Sequence, residues 1–152
     1  MSRFFSGKYA ALTPYTPGEQ PKNRQFIKLN TNESPFPPSP KAQEYAAQAA
    51  QNLNLYSDPT CAKLNEKMAE TLGVEPEESL FTNGSDDILN FAFMAFCDGK
   101  TGAAFPDITY GFYPVFAALN GIDYVEIPLR EDFTVNVSDY IGLGRTIFIA
   151  NP

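Results

Sequence analysis

The sequence contains no histidine among its 152 residues. That excludes a Ser-His-Asp or Cys-His catalytic machine within the chain, and any zinc site built on histidine. Cysteine is nearly as scarce. Cys61 and Cys97 lie far apart and form no metal-binding spacing. Two thiols without a secretory leader imply a reducing compartment. The opening residues, Met1 to Lys8, contain no long apolar stretch of the leader type, and no run approaches a membrane span. Basic residues are few: 11 against 18 acidic ones, for a formal charge of −7, with no basic run. A nucleic-acid groove is therefore not expected. Internal repeats and low-complexity tracts are absent. These absences leave a cytoplasmic, soluble protein as the expectation, and the 43% hydrophobic content is enough for a core.

Proline is not scarce, and it is unevenly placed. Seven of the 13 prolines fall in residues 1–40: Pro14, Pro17, Pro21, Pro35, Pro37, Pro38 and Pro40. Proline blocks helix interiors and central strands. The same stretch carries Phe4, Phe5, Tyr9, Tyr15, Phe26, Ile27, Leu29 and Phe36, too many apolar residues for a solvated tail. We read 1–40 as an extended arm lying on a partner surface, and 41–152 as an α/β domain.

Within that domain, Ser39-Pro40 predicts a capped helix over about 40–52. A second helix is predicted over about 59–72, with Leu64, Met68 and Leu72 at helical spacing and Gly73 as its stop. Leu80-Phe81-Thr82 reads as a short strand. A third helix over about 85–97 is apolar almost all round, which predicts deep burial. Strands are predicted at 101–105, 123–127 and 145–150, the last of them buried. A fourth helix spans 110–120, and 128–142 is a polar connection with a turn near Glu131-Asp132. Alternation of strand and helix implies a largely parallel sheet.

Ligands of open parallel sheets sit beyond the carboxyl ends of the strands. Three polar turns are predicted there: Gly84-Ser85-Asp86-Asp87, Asp107 to Tyr113, and Asn151. Gly84 permits close backbone approach, and the helix that follows offers free N–H groups suited to a phosphate. Ser85 either caps that helix or binds an anion. The plainer reading of the local string is an ordinary helix start whose acidic residues match the dipole. Asp86 and Asp87 would also repel a phosphate unless they point away or meet cations, and this segment supplies none. Tyr110 is either a stacking ring for a planar ligand or a core tyrosine. Tyr56 sits in a polar loop, and Asn32-Glu33 reads as a turn pair.

Taken in order, Leu12-Thr13-Pro14-Tyr15, Lys28 to Pro35, Tyr56-Ser57-Asp58-Pro59, Thr82 to Asp87 and Thr109 to Tyr113 resemble the histidinol-phosphate aminotransferases. These are pyridoxal-phosphate-dependent enzymes of fold type I, within the class I/II aminotransferases. The middle strings are shared across that wider class, and the N-terminal Leu-Thr-Pro-Tyr narrows the resemblance. It implies the aspartate-aminotransferase-like fold, with 41–152 as the incomplete first part of the large cofactor domain. It also implies that Gly84, Ser85 and Asp86 hold the cofactor phosphate, and that Tyr110 stacks on its ring. Tyr56 would reach the phosphate of the other subunit's cofactor, which calls for a homodimer. Tyr15, Asn32 and Glu33 would line the pocket for a small phosphorylated amino substrate of histidine biosynthesis. Asp87 stands where the family usually has glutamate, a conservative departure.

The resemblance further implies a Schiff-base lysine and substrate-reading arginines later in sequence than residue 152. Lys8, Lys22, Lys28, Lys41, Lys63, Lys67 and Lys100 match no such motif. No catalytic residue is therefore assigned, and a truncated chain, inactive alone, with an open sheet edge and an uncovered helix face, is expected. An aromatic aminotransferase, a threonine-phosphate decarboxylase and a non-catalytic dimerising remnant share these front strings as rival readings.

Overall fold

The computed structural model describes residues 4, 6–10, 27, 29 and 33–151. They fall into two compact units, one drawn from Pro14–Leu80 and the other from Met1–Thr13 with Phe81–Pro152. The arm expected over 1–40 lies mostly outside the described residues. Within it, Gly7–Ala10 form a single helical turn, α1.

In the first unit, α2 (Pro40–Ala49) begins where proline and serine direct it. Ser39 Oγ accepts from the Ala42 amide at 3.2 Å, and Pro40 occupies the first turn, where its missing donor costs nothing. A 3₁₀ turn over Ala50–Asn52 continues it, so the helical stretch matches the expected 40–52. Helix α3 (Ala62–Leu72) starts about three residues later than expected. The reason is Asp58. Its carboxylate accepts from the Thr60 amide at 2.9 Å, the Thr60 hydroxyl at 2.8 Å and the Ala62 amide at 2.8 Å. These bonds shape a turn through Pro59–Cys61 before the helix can begin. Gly73 ends α3 as expected. Of α3 only Ala69 is buried; Leu64 and Leu72 are exposed.

The second unit contains a three-stranded sheet flanked by helices. Its strands are β1 (Ala103–Pro106), β2 (Tyr124–Ile127) and β3 (Thr146–Ile147), all parallel, in the order β2-β1-β3. Ala103 stands beside Tyr124 on one side and Thr146 on the other. Helices α4 (Ser85–Phe96) and α5 (Tyr113–Asn120) contact each other and share the core with β1. That core is aromatic: Phe93 from α4, Phe105 from β1, Tyr113 and Phe116 from α5, and Phe148 beyond β3. Phe93 and Phe148 lie face to face, 4.1 Å between centroids and 7° between planes.

Three expectations fail. Leu80-Phe81-Thr82 is not a strand, because a strand exists through its ladder and no described strand pairs with it. Helix α4 is not buried all round. Phe93 is fully buried, yet Phe91, Met94 and Phe96 are exposed, because a small sheet and one neighbouring helix cover only one stripe of it. The strand expected at 145–150 reduces to Thr146–Ile147. Among the described residues it pairs with β1 alone, and Ile147 and Ile149 are exposed. Among the described residues, β3 thus leaves an unpaired sheet edge and α4 an exposed face, as expected.

Candidate active site

Helix α4 begins without a side-chain cap. Gly84 is its N-cap, with φ 81° and ψ −178°, and Ser85 is the first helical residue. Ser85 therefore does not cap the helix; the glycine stands in the capping position. The turn is fixed instead by Thr82, whose carbonyl accepts from the Gly84 amide at 2.9 Å and whose hydroxyl donates to the Gly84 carbonyl at 2.8 Å. The first amides of α4 thus carry the partial positive charge of a helix start, with no side-chain cap among the described residues.

Asp107 follows directly on β1. Its amide donates to the Ile127 carbonyl at 3.0 Å, extending the β1–β2 ladder by one bond. Its Oδ1 accepts from the amides of Ile108 at 2.9 Å and Leu129 at 3.0 Å. One carboxylate thereby ties the turn after β1 to the loop after β2.

That turn carries Tyr110. Expected at the head of a helix, Tyr110 instead lies in the turn before α5, and its carbonyl accepts from the Tyr113 amide at 3.2 Å. Its ring stacks on Phe112 at 5.6 Å and 18°, and meets Tyr113 edge-on at 5.8 Å. Its hydroxyl donates to Asp86 Oδ1 at 2.6 Å. Asp86 therefore directs one carboxylate oxygen at the tyrosine, which answers the question of where that negative charge points.

Gly84, Ser85, Asp86 and Tyr110 are thus brought together in one unit. Glu33 and Tyr56 belong to the other unit, and both are exposed, Tyr56 fully. Tyr15 and Asn32 lie outside the described residues. Asn151, past β3, is exposed. Two features escaped sequence reasoning. One is the Asp107–Leu129 link, whose only signal is an aspartate at a strand end. The other is Tyr140, buried with its hydroxyl unpartnered among the described residues. Burial, then the charges of Asp107 and Asp139, push its phenol above the ordinary tyrosine range. Among the described residues no side-chain cluster suits a metal ion, and no helix is long and apolar enough to cross a membrane.

A parallel sheet flanked by helices, with a helix start that has no side-chain cap beside a tyrosine ring, defines an α/β protein, and such a helix start is the kind of place where an anion can sit. Residues 24–149 match the model of the aminotransferase class I and II family, and the chain belongs to that family. The histidinol-phosphate aminotransferase of Brachyspira hyodysenteriae is 45% identical over 153 aligned residues, covering 100% of this chain and 43% of that protein. The enzyme of the same name from Acetobacter pasteurianus is 47% identical over 154, covering 100% and 43%. The chain therefore spans less than half the length of these curated relatives. A crystal structure of histidinol-phosphate aminotransferase from Sinorhizobium meliloti, in complex with pyridoxal-5'-phosphate, superposes with a TM-score of 0.63 at 25% identity. The match covers 67% of this chain and 28% of that one. The aminotransferase fold expected from the resemblance is thereby supported.

Proposed function

We propose that this chain supplies the cofactor cup of a pyridoxal-phosphate-dependent aminotransferase. Its reaction exchanges an amino group between histidinol phosphate or imidazole-acetol phosphate and glutamate or 2-oxoglutarate. The observation that carries the proposal is 45% and 47% identity, across the whole chain, to proteins named for that activity.

The residues present fit the cofactor. Its phosphate is an anion, and α4 opens with amides that no side chain caps. Ser85 and Asp86 would give backbone N–H groups, Ser85 its hydroxyl as well, and Gly84 leaves room for approach. Tyr110 would offer its ring to the pyridine face. When bound, the cofactor supplies an electron sink for the bonds at the substrate Cα. This chain's part is to bind and orient. Tyr56, fully exposed, is suited to reach a partner subunit's cofactor phosphate, and the active form is a homodimer. Tyr15, Asn32 and Glu33 line the substrate pocket, residues 1–40 form the arm, and residues 41–152 belong to the cofactor domain. The protein works in the cytoplasm. None of the seven lysines is assigned to covalent attachment of the cofactor.

The test is a transamination assay on the product of the complete reading frame, using histidinol phosphate and 2-oxoglutarate and reading glutamate. Tyrosine and threonine phosphate run in parallel. Turnover of tyrosine alone, or release of carbon dioxide from threonine phosphate, overturns the substrate. The 152-residue chain beside it should bind cofactor without turnover. A borohydride-reducible bond to a mapped lysine within it overturns the assignment of roles.

A further inference from the structure

We infer that Asp86 is a positioning residue whose carboxylate holds Tyr110, so that the tyrosine ring and the first amides of α4 act as one rigid receptor. What that receptor holds rests on the function proposed above; the contact itself does not.

The two residues are 24 apart in sequence and joined at 2.6 Å. That length falls in the range of a charge-assisted O–H···O⁻ bond, among the stronger hydrogen bonds available to a protein. Tyr110 needs such an anchor. It sits outside any helix, with 38% of its surface exposed, and its ring packs on Phe112 beside it and on Tyr113 at the start of α5. Neither contact comes from α4. Asp86 links the turn to the helix whose amides would face the anion. Asp86 also gains from its place in the first turn of α4, where the helix dipole favours a carboxylate. Its charge is then turned toward a phenol donor instead of lying unpartnered beside a bound anion. A ring fixed before the ligand arrives spends less entropy on binding it.

Three ligands separate this role from a general structural one: pyridoxal phosphate, pyridoxal and inorganic phosphate, each titrated against the full chain. Tyr110→Phe keeps the ring and removes the hydroxyl. Asp86→Ala removes the acceptor, and Asp86→Asn keeps an oxygen there. Tyr110→Phe and Asp86→Ala should each weaken pyridoxal phosphate and pyridoxal about tenfold. The double variant should be no worse than either single one. Asp86→Asn should recover most of the loss. Inorganic phosphate should bind the Asp86→Ala chain as well as wild type or better, since a negative charge is gone.

A merely structural role would weaken all three ligands together. That outcome, or independent losses that add in the double variant, overturns the inference. If the wild-type chain binds no pyridoxal phosphate, the function proposed above fails instead. The contact is then read from the ¹⁹F resonance of fluorotyrosine at position 110 in the unliganded chain. Asp86→Ala should shift and broaden it, and Asp86→Asn should not. An unmoved resonance in Asp86→Ala overturns the inference.

Discussion

Arg145 reaches across the foot of β1 to Asp123, through the space that a side chain on residue 102 would fill. Its Nη1 donates to the Asp123 carbonyl at 3.1 Å and its Nη2 to Asp123 Oδ2 at 2.6 Å. The three residues precede β3, β2 and β1 respectively, so the pair links the outer strands over the middle one. A Cβ at Gly102 would lie 2.2 Å from Nη1 and 2.4 Å from the Asp123 carbonyl oxygen. The guanidinium can swing away, but the backbone oxygen cannot do so cheaply. Gly102→Ala should therefore cost roughly 1–3 kcal/mol. Arg145→Ala, which breaks an ion pair whose aspartate is largely exposed, should cost about 0–1 kcal/mol. In the double variant the guanidinium clash is gone and the carbonyl clash stays, so the two costs should add to less than their sum. Urea midpoints of the four proteins test this, and strict additivity would sink the account.

Phe93 and Phe148 form the centre of the aromatic core. Phe93 also meets Phe116 at 5.9 Å and Tyr113 at 6.4 Å, so it joins α4 to α5 and to the segment after β3. Phe148→Ala should cost about 3–5 kcal/mol, by lost burial plus the cavity left behind. Phe148→Leu should cost distinctly less. Near-UV circular dichroism and thermal unfolding give the readout. An Ala variant as stable as the Leu variant would mean that Phe148 does not close this core.

How much of this was legible in the sequence depends on how local each cause is. Ser39-Pro40 started a helix and Gly73 stopped one, because caps act within a turn of their own position. The alternation of strand and helix gave the parallel sheet. Non-local causes were lost. The 80–82 segment has strand-like residues, but pairing needs a neighbour that sequence periodicity does not reveal. Helix α4 is apolar almost all round, yet apolarity says nothing about what covers a face, and Phe91, Met94 and Phe96 stay exposed. The site suffered the same way. Gly84-Ser85-Asp86 and Tyr110 each had a bland local explanation, and the bond that joins Asp86 to Tyr110 spans 24 positions.

Asp58 gives a pH dependence. The amide of Thr60, then its hydroxyl, then the amide of Ala62 hold its carboxyl below the ordinary aspartate range, against a smaller opposing effect of burial. Its folded value is depressed. The stabilisation is therefore present above the unfolded value, about 3.9, and is lost as pH falls through the lower folded value. The first turn of α3 should stay ordered from neutral pH down to about 4 and loosen below it. NMR shifts of the Thr60 and Ala62 amides should titrate together with a midpoint below that of a free aspartate. Asp58→Ala should remove the titration and loosen the turn at every pH. A midpoint at the ordinary value would show that these bonds do not favour the charged form.

Gly84 should be the least replaceable position of the cup, for a reason separate from crowding. Apart from its chain neighbours, no atom of the described residues lies within 4 Å of where its Cβ would be, so a methyl group has room. The difficulty is the backbone, since φ 81° with ψ −178° is a region open essentially to glycine alone. Gly84→Ala should cost about 1–3 kcal/mol. Gly84→Asn should cost as much, because asparagine tolerates the left-handed helical region near ψ +47° and not this one. Relief of the strain would swing the chain at Thr82–Ser85 and re-aim the first amides of α4. Affinity for inorganic phosphate should then fall together with the melting temperature. An alanine variant that keeps both would show that the uncapped start of α4 does not depend on this backbone conformation.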